Sequence, residues 1–175
     1  VSSAGSDSSG GAGIQADIKT IAAHHLFAET VITVLTAQNT LGVTGTHEVP
    51  AAFVSEQIDA VFSDIRPDAV KVGMVFSAEI IETIARGLDK WQAENIVVDP
   101  VMVATSGVPL IGEDAISALV EKLLPRARVI TPNIPEAQVL CGRKLPDEAA
   151  CERAAAELAQ SLGTDVLVKG GHGSH

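Results

Sequence analysis

The chain has 175 residues, 46% of them hydrophobic, and 22 acidic against 12 basic side chains give it a net charge of −10. This size and composition favour one globular domain with a sizeable core. The negative charge and the lack of a Lys/Arg cluster argue against nucleic acid or an anionic membrane as a partner. Since no apolar run approaches the roughly 18 residues of a membrane helix, and neither a secretory signal nor a disulfide framework is recognisable, we expect a cytoplasmic protein.

Helical patterns alternate with short apolar, β-branched runs along the chain. The helices are predicted at about residues 11–25, 50–63, 77–93, 112–123, 134–141 and 147–162. The strands are predicted at residues 30–36, 69–75, 96–98, 128–131 and 166–168, after a short first strand that leads into a glycine-rich turn. This alternation predicts right-handed βαβ units, and therefore a mostly parallel sheet with helices on both faces.

The glycine-rich turn has the composition of a phosphate-binding loop but not its motifs. Gly5 and Gly10 have the spacing of a P-loop, yet Gly11 and Ala12 stand where that motif has Lys and Ser/Thr. A dinucleotide-binding fingerprint needs a strand directly before it, and residues 6–10 are not predicted to form one. Spacing alone therefore favours a plain turn into a helix.

Polar, glycine and proline residues recur directly after the predicted strands. They include Ala37-Gln38-Asn39, Gly73-Met74, Asp99-Pro100, Pro132-Asn133 and Lys169-Gly170. In open parallel sheets, ligands bind beyond the carboxyl ends of the strands. This recurrence predicts a ligand site at that edge of the sheet without reliance on any single motif.

Five polar residues in these segments each allow two interpretations. Asp99 either holds a magnesium ion through water or shapes a proline turn. Asn133 and Glu136 either form a helix capping box or face nucleotide and metal. Lys169 either binds phosphate or extends from the sheet edge into solvent. Gln38 either pairs with a ring that carries a nitrogen and an amino group or simply ends a strand.

Six strings along the chain together resemble one enzyme family. They are GSDSSGGAGIQADIKT at residues 5–20, TAQNT at 36–40, KVGM at 71–74, DPVM at 99–102, TPNIPEA at 131–137 and VKGGH at 168–172. In order and across essentially the whole chain, they resemble the hydroxymethylpyrimidine/phosphomethylpyrimidine kinases of thiamine biosynthesis. The resemblance implies a ribokinase-like three-layer α/β/α sandwich. It also implies ATP-dependent phosphorylation of 4-amino-5-hydroxymethyl-2-methylpyrimidine and then of its monophosphate.

Two other functions are compatible with the same residues. Pyridoxal kinase is a close relative with a similar N-terminal half, although Gln38 and Met74 favour the pyrimidine. The other alternative is a pyrimidine-binding module without catalytic activity.

The resemblance also implies which residues surround the pyrimidine. They are Gly5, Asp17, Gln38, Met74 and Val101. Asp17 and Gln38 would pair with the aminopyrimidine edge, while Met74 and Val101 would supply apolar contact. From the residues alone, Asp17 has a second interpretation, because the helix dipole favours an acidic side chain near the start of a helix.

The resemblance further implies ATP and Mg²⁺ as cofactors. Asp99 and Glu136 would lie near the metal ion, and Asn133 and Lys169 near the ATP phosphates. Residues 104–107 would form a flap over the substrate. Members of the family are commonly homodimers, so we expect a homodimer whose partners are small molecules.

One element of the family does not occur in these 175 residues. It is a later glycine-rich turn, G-T-G-C or G-A-G-D, that carries the catalytic Asp or Cys and the anion hole. We therefore expect one domain, residues 1–175, without the start of its first strand and without the C-terminal ATP segment. Because phosphoryl transfer depends on positioning and electrostatic stabilisation, we expect this chain to bind the pyrimidine but not to turn it over.

Overall fold

The structure is a computed structural model that describes residues 1–102 and 111–170. Its strands are β1 (Ser2–Asp7), β2 (Thr30–Asn39), β3 (Gly42–Glu48), β4 (Val70–Val72), β5 (Ile96–Val98), β6 (Val129–Ile130) and β7 (Asp165–Val166). Its helices are α1 (Gly13–Ala23), α2 (Ala51–Asp64), α3 (Ala78–Lys90), α4 (Glu113–Ala118), α5 (Ile134–Cys141) and α6 (Glu148–Leu162). A π-helical turn, Leu119–Leu123, and a short 3-10 helix, Leu124–Arg126, extend α4.

The described residues form one seven-stranded sheet in the order β3-β2-β1-β4-β5-β6-β7. All neighbouring pairs are parallel except β2 and β3, which form an antiparallel hairpin at one edge. The chain leaves β1 toward β2 on one side and later returns to β4 on the other. The strand order therefore reverses beside β1, which is where open α/β sheets place a ligand crevice.

Helices cover both faces of this sheet. On one face, α2, α3 and α4 pack into the larger apolar core, to which β4 contributes Val70 and Val72. Lys71 lies between them and faces the other way, because successive side chains of a strand alternate between faces. There Lys71 meets Asp17 of α1. Within the described residues, no helix combines the length and apolar character needed to span a bilayer.

The predicted alternation of helices and strands is confirmed, but the first strand differs from the prediction. β1 runs through Ser6 and Asp7, where no strand was predicted. Serines suggest exposure, yet Ser2 and Ser3 are 1% and 3% exposed. The Ser2 hydroxyl is satisfied in the interior because it donates a hydrogen bond to Asp17, which removes most of the cost of burying it.

Two further differences concern the sheet edges. β3 was not predicted, because it is fully exposed and lacks the alternation of a half-buried strand. β7 is shorter than the predicted strand 166–168. Its pairing nevertheless continues, since the Leu167 N–H donates to Ile130 and the Lys169 N–H donates to Pro132.

At Gly13 the backbone itself leaves no room for a side chain. Its φ is +55°, and a Cβ there would lie 2.2 Å from the carbonyl oxygen of Gly5.

We expect Gly13→Ala to lower the free energy of unfolding by about 3 kcal/mol, because the alanine would add left-handed backbone strain and overpacking. Gly142→Ala is the matched control, because φ is +64° there and a Cβ would meet nothing within 4 Å. Gly142→Ala should lower the free energy of unfolding by only about 1 kcal/mol. Urea denaturation measures both variants, and equal decreases for the two would contradict the prediction.

Candidate functional site

Asp7 lies at the end of β1, and its carboxylate fills the glycine-rich turn. Oδ1 accepts a hydrogen bond from the Ser9 N–H at 2.8 Å, and Oδ2 accepts from the N–H groups of Gly11 and Ala12 at 3.0 and 2.9 Å. Burial acts to raise the pKa of Asp7, but the hydrogen bonds outweigh it and hold the pKa below the usual aspartate value. The N–H groups that a phosphate would need are therefore occupied by the protein's own carboxylate.

Gly5 and Met74 are neighbours at the ends of the central strands. Gly5 lies where the register between β1 and β2 shifts. A Cβ at this position would be 2.9 Å from Cγ1 of Val34 and 3.9 Å from the sulfur of Met74. Thr33, which is fully buried, donates its hydroxyl to the Met74 carbonyl at 3.0 Å. These contacts bring together two of the residues predicted to surround the pyrimidine.

Gln38 is anchored to the glycine-rich turn through Ser8. The Ser8 hydroxyl donates to the Gln38 carbonyl and accepts from the Gln38 N–H, both at 2.8 Å. The side-chain oxygen Oε1 of Gln38 accepts from the Thr36 hydroxyl at 3.2 Å. Within the described residues, the amide nitrogen Nε2 makes no hydrogen bond, so it remains available to donate to a ligand.

Asp17 has partners that the sequence did not indicate. Its Oδ2 accepts from the Ser2 hydroxyl at 2.5 Å and from Lys71 Nζ at 2.8 Å. The helix-dipole interpretation of this residue is wrong, because Asp17 lies beyond the first turn of α1. Sequence reasoning assigned no role to Lys71, although a lysine inside a short apolar strand is unusual and could have drawn attention to it.

A second group of polar residues lies at the ends of β5, β6 and β7. Lys169 Nζ is 2.7 Å from Oδ1 of Asp99. The Asn133 side chain accepts from the Glu136 N–H and the Glu136 side chain accepts from the Asn133 N–H, both at 2.8 Å. The predicted capping box is thus confirmed, and it holds Glu136, which is only 2% exposed, at this edge of the sheet.

The electrostatics of this group centre on Glu136. Burial raises the pKa of Glu136 and the charge of Asp99 acts in the same direction, while the Asn133 N–H and the Lys169 ammonium act to lower it. The net pKa lies above the usual glutamate value. Two carboxylates and one ammonium thus share a small region, where a further cation would relieve the repulsion between the acids.

The remaining predicted residues divide between described and undescribed parts of the chain. Val101 is half-buried directly after β5, and its N–H donates to the Asp99 carbonyl at 2.8 Å. The predicted flap, residues 104–107, lies outside the described residues. Asp17 and Gln38 each have their own partners, and within residues 1–102 and 111–170 no hydrogen bond joins one to the other.

Comparison with known proteins agrees with this arrangement. The family model described as phosphomethylpyrimidine kinase matches residues 7–175. The chain belongs to this family. A hydroxymethylpyrimidine/phosphomethylpyrimidine kinase from Rhizobium meliloti is 53% identical over 173 residues, which cover 98% of this chain and 65% of that protein. The crystal structure of a phosphomethylpyrimidine kinase from Clostridium difficile 630 matches with a TM-score of 0.92 and 48% identity, over 98% of this chain and 74% of the other.

A pyridoxal kinase is a more distant neighbour. The Staphylococcus aureus enzyme, solved in complex with ADP, has a TM-score of 0.86 and 34% identity over 97% of this chain and 62% of its own. These matches confirm the resemblance carried by the six strings and the ribokinase-like fold. The chain spans 34%, 62% and 65% of the length of three curated relatives, so it corresponds to part of each.

We expect Asp7→Asn to destabilise the protein in a pH-dependent manner. The folded pKa of Asp7 is depressed, so its stabilising effect is complete above the unfolded-state pKa and is lost as the pH falls through the folded pKa. The difference in free energy of unfolding between wild type and Asp7→Asn should therefore be largest near neutral pH and shrink in acid. Urea denaturation at a series of pH values measures it.

The control for this prediction is Asp165→Asn, at an exposed aspartate of β7. It should change the free energy of unfolding little at any of these pH values. A gap between wild type and Asp7→Asn that stays constant into acid would contradict the role given to the carboxylate.

Proposed function

We propose that the protein containing this chain phosphorylates 4-amino-5-hydroxymethyl-2-methylpyrimidine and its monophosphate with ATP. The observation that carries the proposal is that two chemically different groups of residues follow the carboxyl ends of strands in the same sheet. One group, around Gly5, Gln38 and Met74, is small, apolar and amide-bearing. The other, around Asp99 and Lys169, is charged. An acceptor ring and a polyphosphate donor need these two environments side by side.

On the acceptor side, the residues complement an aminopyrimidine. The Gln38 amide nitrogen is available to donate to a ring nitrogen. The Asp17 carboxylate accepts from the exocyclic amino group, and Met74 and Val101 contact the apolar ring faces. Gly5 leaves space for the ring because it has no side chain, and a Cβ at this position would collide with Val34.

On the phosphate side, the donor set fits MgATP. Lys169 supplies a positive charge for phosphate oxygens, and Asn133 lies beside it, because the two residues form a parallel β-bridge after β6 and β7. Asp99 and Glu136 supply carboxylate oxygens, the ligands that Mg²⁺ prefers. Within the described residues, no three His, Cys, Asp or Glu side chains group closely enough to hold a metal ion. Phosphate oxygens and water would complete the magnesium shell, and the bound ion would neutralise charge on the phosphates.

We also infer a cytoplasmic homodimer that binds neither nucleic acid nor membrane. The net charge of −10 disfavours anionic partners. The β2–β3 hairpin presents Leu35, Leu41 and Val43 to solvent with exposures of 45%, 94% and 53%. An exposed antiparallel edge with apolar side chains suits contact with a second copy.

Competitive binding distinguishes the pyrimidine from pyridoxal as the ligand. We expect the 175-residue chain to bind 4-amino-5-hydroxymethyl-2-methylpyrimidine more tightly than pyridoxal in isothermal titration calorimetry. Gln38→Ala should weaken binding of the pyrimidine by about tenfold, since it removes a hydrogen bond to the ring. The matched control is Gln160→Ala, at an exposed position of α6. Tighter binding of pyridoxal would replace the proposed substrate with the vitamin B6 alternative.

Glu136→Gln separates a role in MgATP binding from a role in folding. The raised pKa of Glu136 means that its ionised form is unfavourable in the folded protein. The variant should therefore be at least as stable as wild type at pH 7, and this advantage should shrink as the pH falls through the folded pKa. In the longer protein that contains this chain, affinity for MgATP should drop by about tenfold with the loss of one charged ligand.

Thermal unfolding at two pH values and titration with MgATP provide both measurements. Glu121→Gln, at an exposed acidic residue, is the control and should leave both unchanged. Loss of stability together with unchanged MgATP affinity would assign Glu136 to the helix cap alone.

A further inference from the structure

Lys71 and Asp17 form an ion pair next to the proposed pyrimidine site. Lys71 Nζ is 2.8 Å from Oδ2 of Asp17, and the two side chains are 34% and 20% exposed. The pair adjoins Gly73, the residue before Met74, because Nζ lies 2.7 Å from the position that a Cβ on Gly73 would take. No sequence motif assigned a role to this lysine.

Both donors to Asp17 use the same carboxylate oxygen. The Ser2 hydroxyl and the Lys71 ammonium each bind Oδ2. Within residues 1–102 and 111–170, Oδ1 accepts no hydrogen bond. Two donors on one oxygen hold the carboxylate group in a single orientation and leave the other oxygen as an acceptor without a partner.

Gly73 provides the space that Lys71 needs for this contact. A Cβ at position 73 would approach Nζ to 2.7 Å and Cε to 3.4 Å. The flexible end of the lysine would have to move to avoid it. A side chain at position 73 would therefore shift the ammonium from its place beside Asp17 without removing the charge.

We propose that Lys71 is a positioning residue that orients Asp17 to select ligand rings bearing an amino group. This inference rests on the proposed function, which puts the ring beside Asp17. An ionised carboxylate only accepts hydrogen bonds, so a ring with an exocyclic amino group satisfies Oδ1. A ring without a donor leaves the desolvated oxygen unpaired, and sites built around a buried hydrogen bond reject such ligands strongly. Lys71 acts through Asp17 and not by touching the ligand.

The test compares two ligands that differ only in the amino group. Calorimetry gives the affinity of the 175-residue chain for 4-amino-5-hydroxymethyl-2-methylpyrimidine and for 5-hydroxymethyl-2-methylpyrimidine. Wild type should prefer the amino compound, and Lys71→Met should reduce this preference by about tenfold, as expected when a hydrogen bond to a charged group is weakened. In an Asp17→Asn background, Lys71→Met should reduce the preference no further, since the lysine acts through that carboxylate.

Two further variants keep the test independent of folding defects. Gly73→Ala retains Lys71 and should lower the amino preference in the same direction by displacing the ammonium. Lys90→Met removes a lysine–aspartate pair of 2.7 Å between α2 and α3, so it should leave the preference unchanged. Circular dichroism confirms that each variant is folded.

The outcomes separate this inference from the proposed function. If wild type binds neither ring, the proposed function is wrong. If wild type prefers the amino compound and the folded Lys71→Met and Gly73→Ala variants keep that preference, the positioning role of Lys71 is overturned while the proposed function stands. An equal loss from Lys71→Met with and without Asp17→Asn would also overturn it, because the lysine would then act independently of the carboxylate.

Discussion

The conformation of the glycine-rich turn depends on the carboxylate of Asp7 that it encloses. Three backbone N–H groups, from Ser9, Gly11 and Ala12, point at this one side chain. A buried charge is tolerated only when such bonds replace its hydration. The same hydrogen bonds fix the conformation of the turn, and α1 begins directly after it at Gly13. The Asp7 N–H also donates to the Gln15 side chain at 2.9 Å, which ties the first turn of α1 to β1.

This interaction changes the meaning of the glycines. Glycine-rich turns at helix N-termini suit phosphates because their N–H groups are free to bind an anion. Here the anion is part of the protein, so the glycines serve close packing instead. Gly13 lies against the Gly5 carbonyl, and Ser8 joins the turn to Gln38. The result is a compact turn beside the proposed pyrimidine site.

At the ends of β5, β6 and β7, the carboxylates are less fully compensated than Asp7 is in the glycine-rich turn. Glu136 is buried by its role in the capping box, and its charge is opposed by burial and by Asp99. Lys169, which pairs with Asp99 at 2.7 Å, supplies the compensating charge. Such a group gains from an additional cation. The sheet order separates this group at the ends of β5, β6 and β7 from the glycine-rich turn at the end of β1, where the Asp7 carboxylate is already satisfied by backbone N–H groups.

Much of this arrangement was predictable from local pattern. The alternation of apolar runs with helical periodicity predicted the parallel sheet, and Asn133 three residues before Glu136 predicted the capping box, because both depend on near neighbours in the chain. The polar residues after each strand predicted the functional edge, since parallel strands bring their carboxyl ends together. The strings matched a family whose membership the comparisons confirm.

The tertiary structure alone decided the pairings between residues that are distant in the chain. Asp7 received no role from the sequence, because an aspartate among serines and glycines is typical of any exposed turn. The pairing of Asp17 with Lys71 joins residues 54 positions apart, and no local periodicity encodes such a contact. The exposed strand β3 lacked a buried face to reveal it. The sequence determined which residues meet at the sheet edge, whereas packing across the sheet decided which hydrogen-bonding atoms are already occupied and which remain for a ligand.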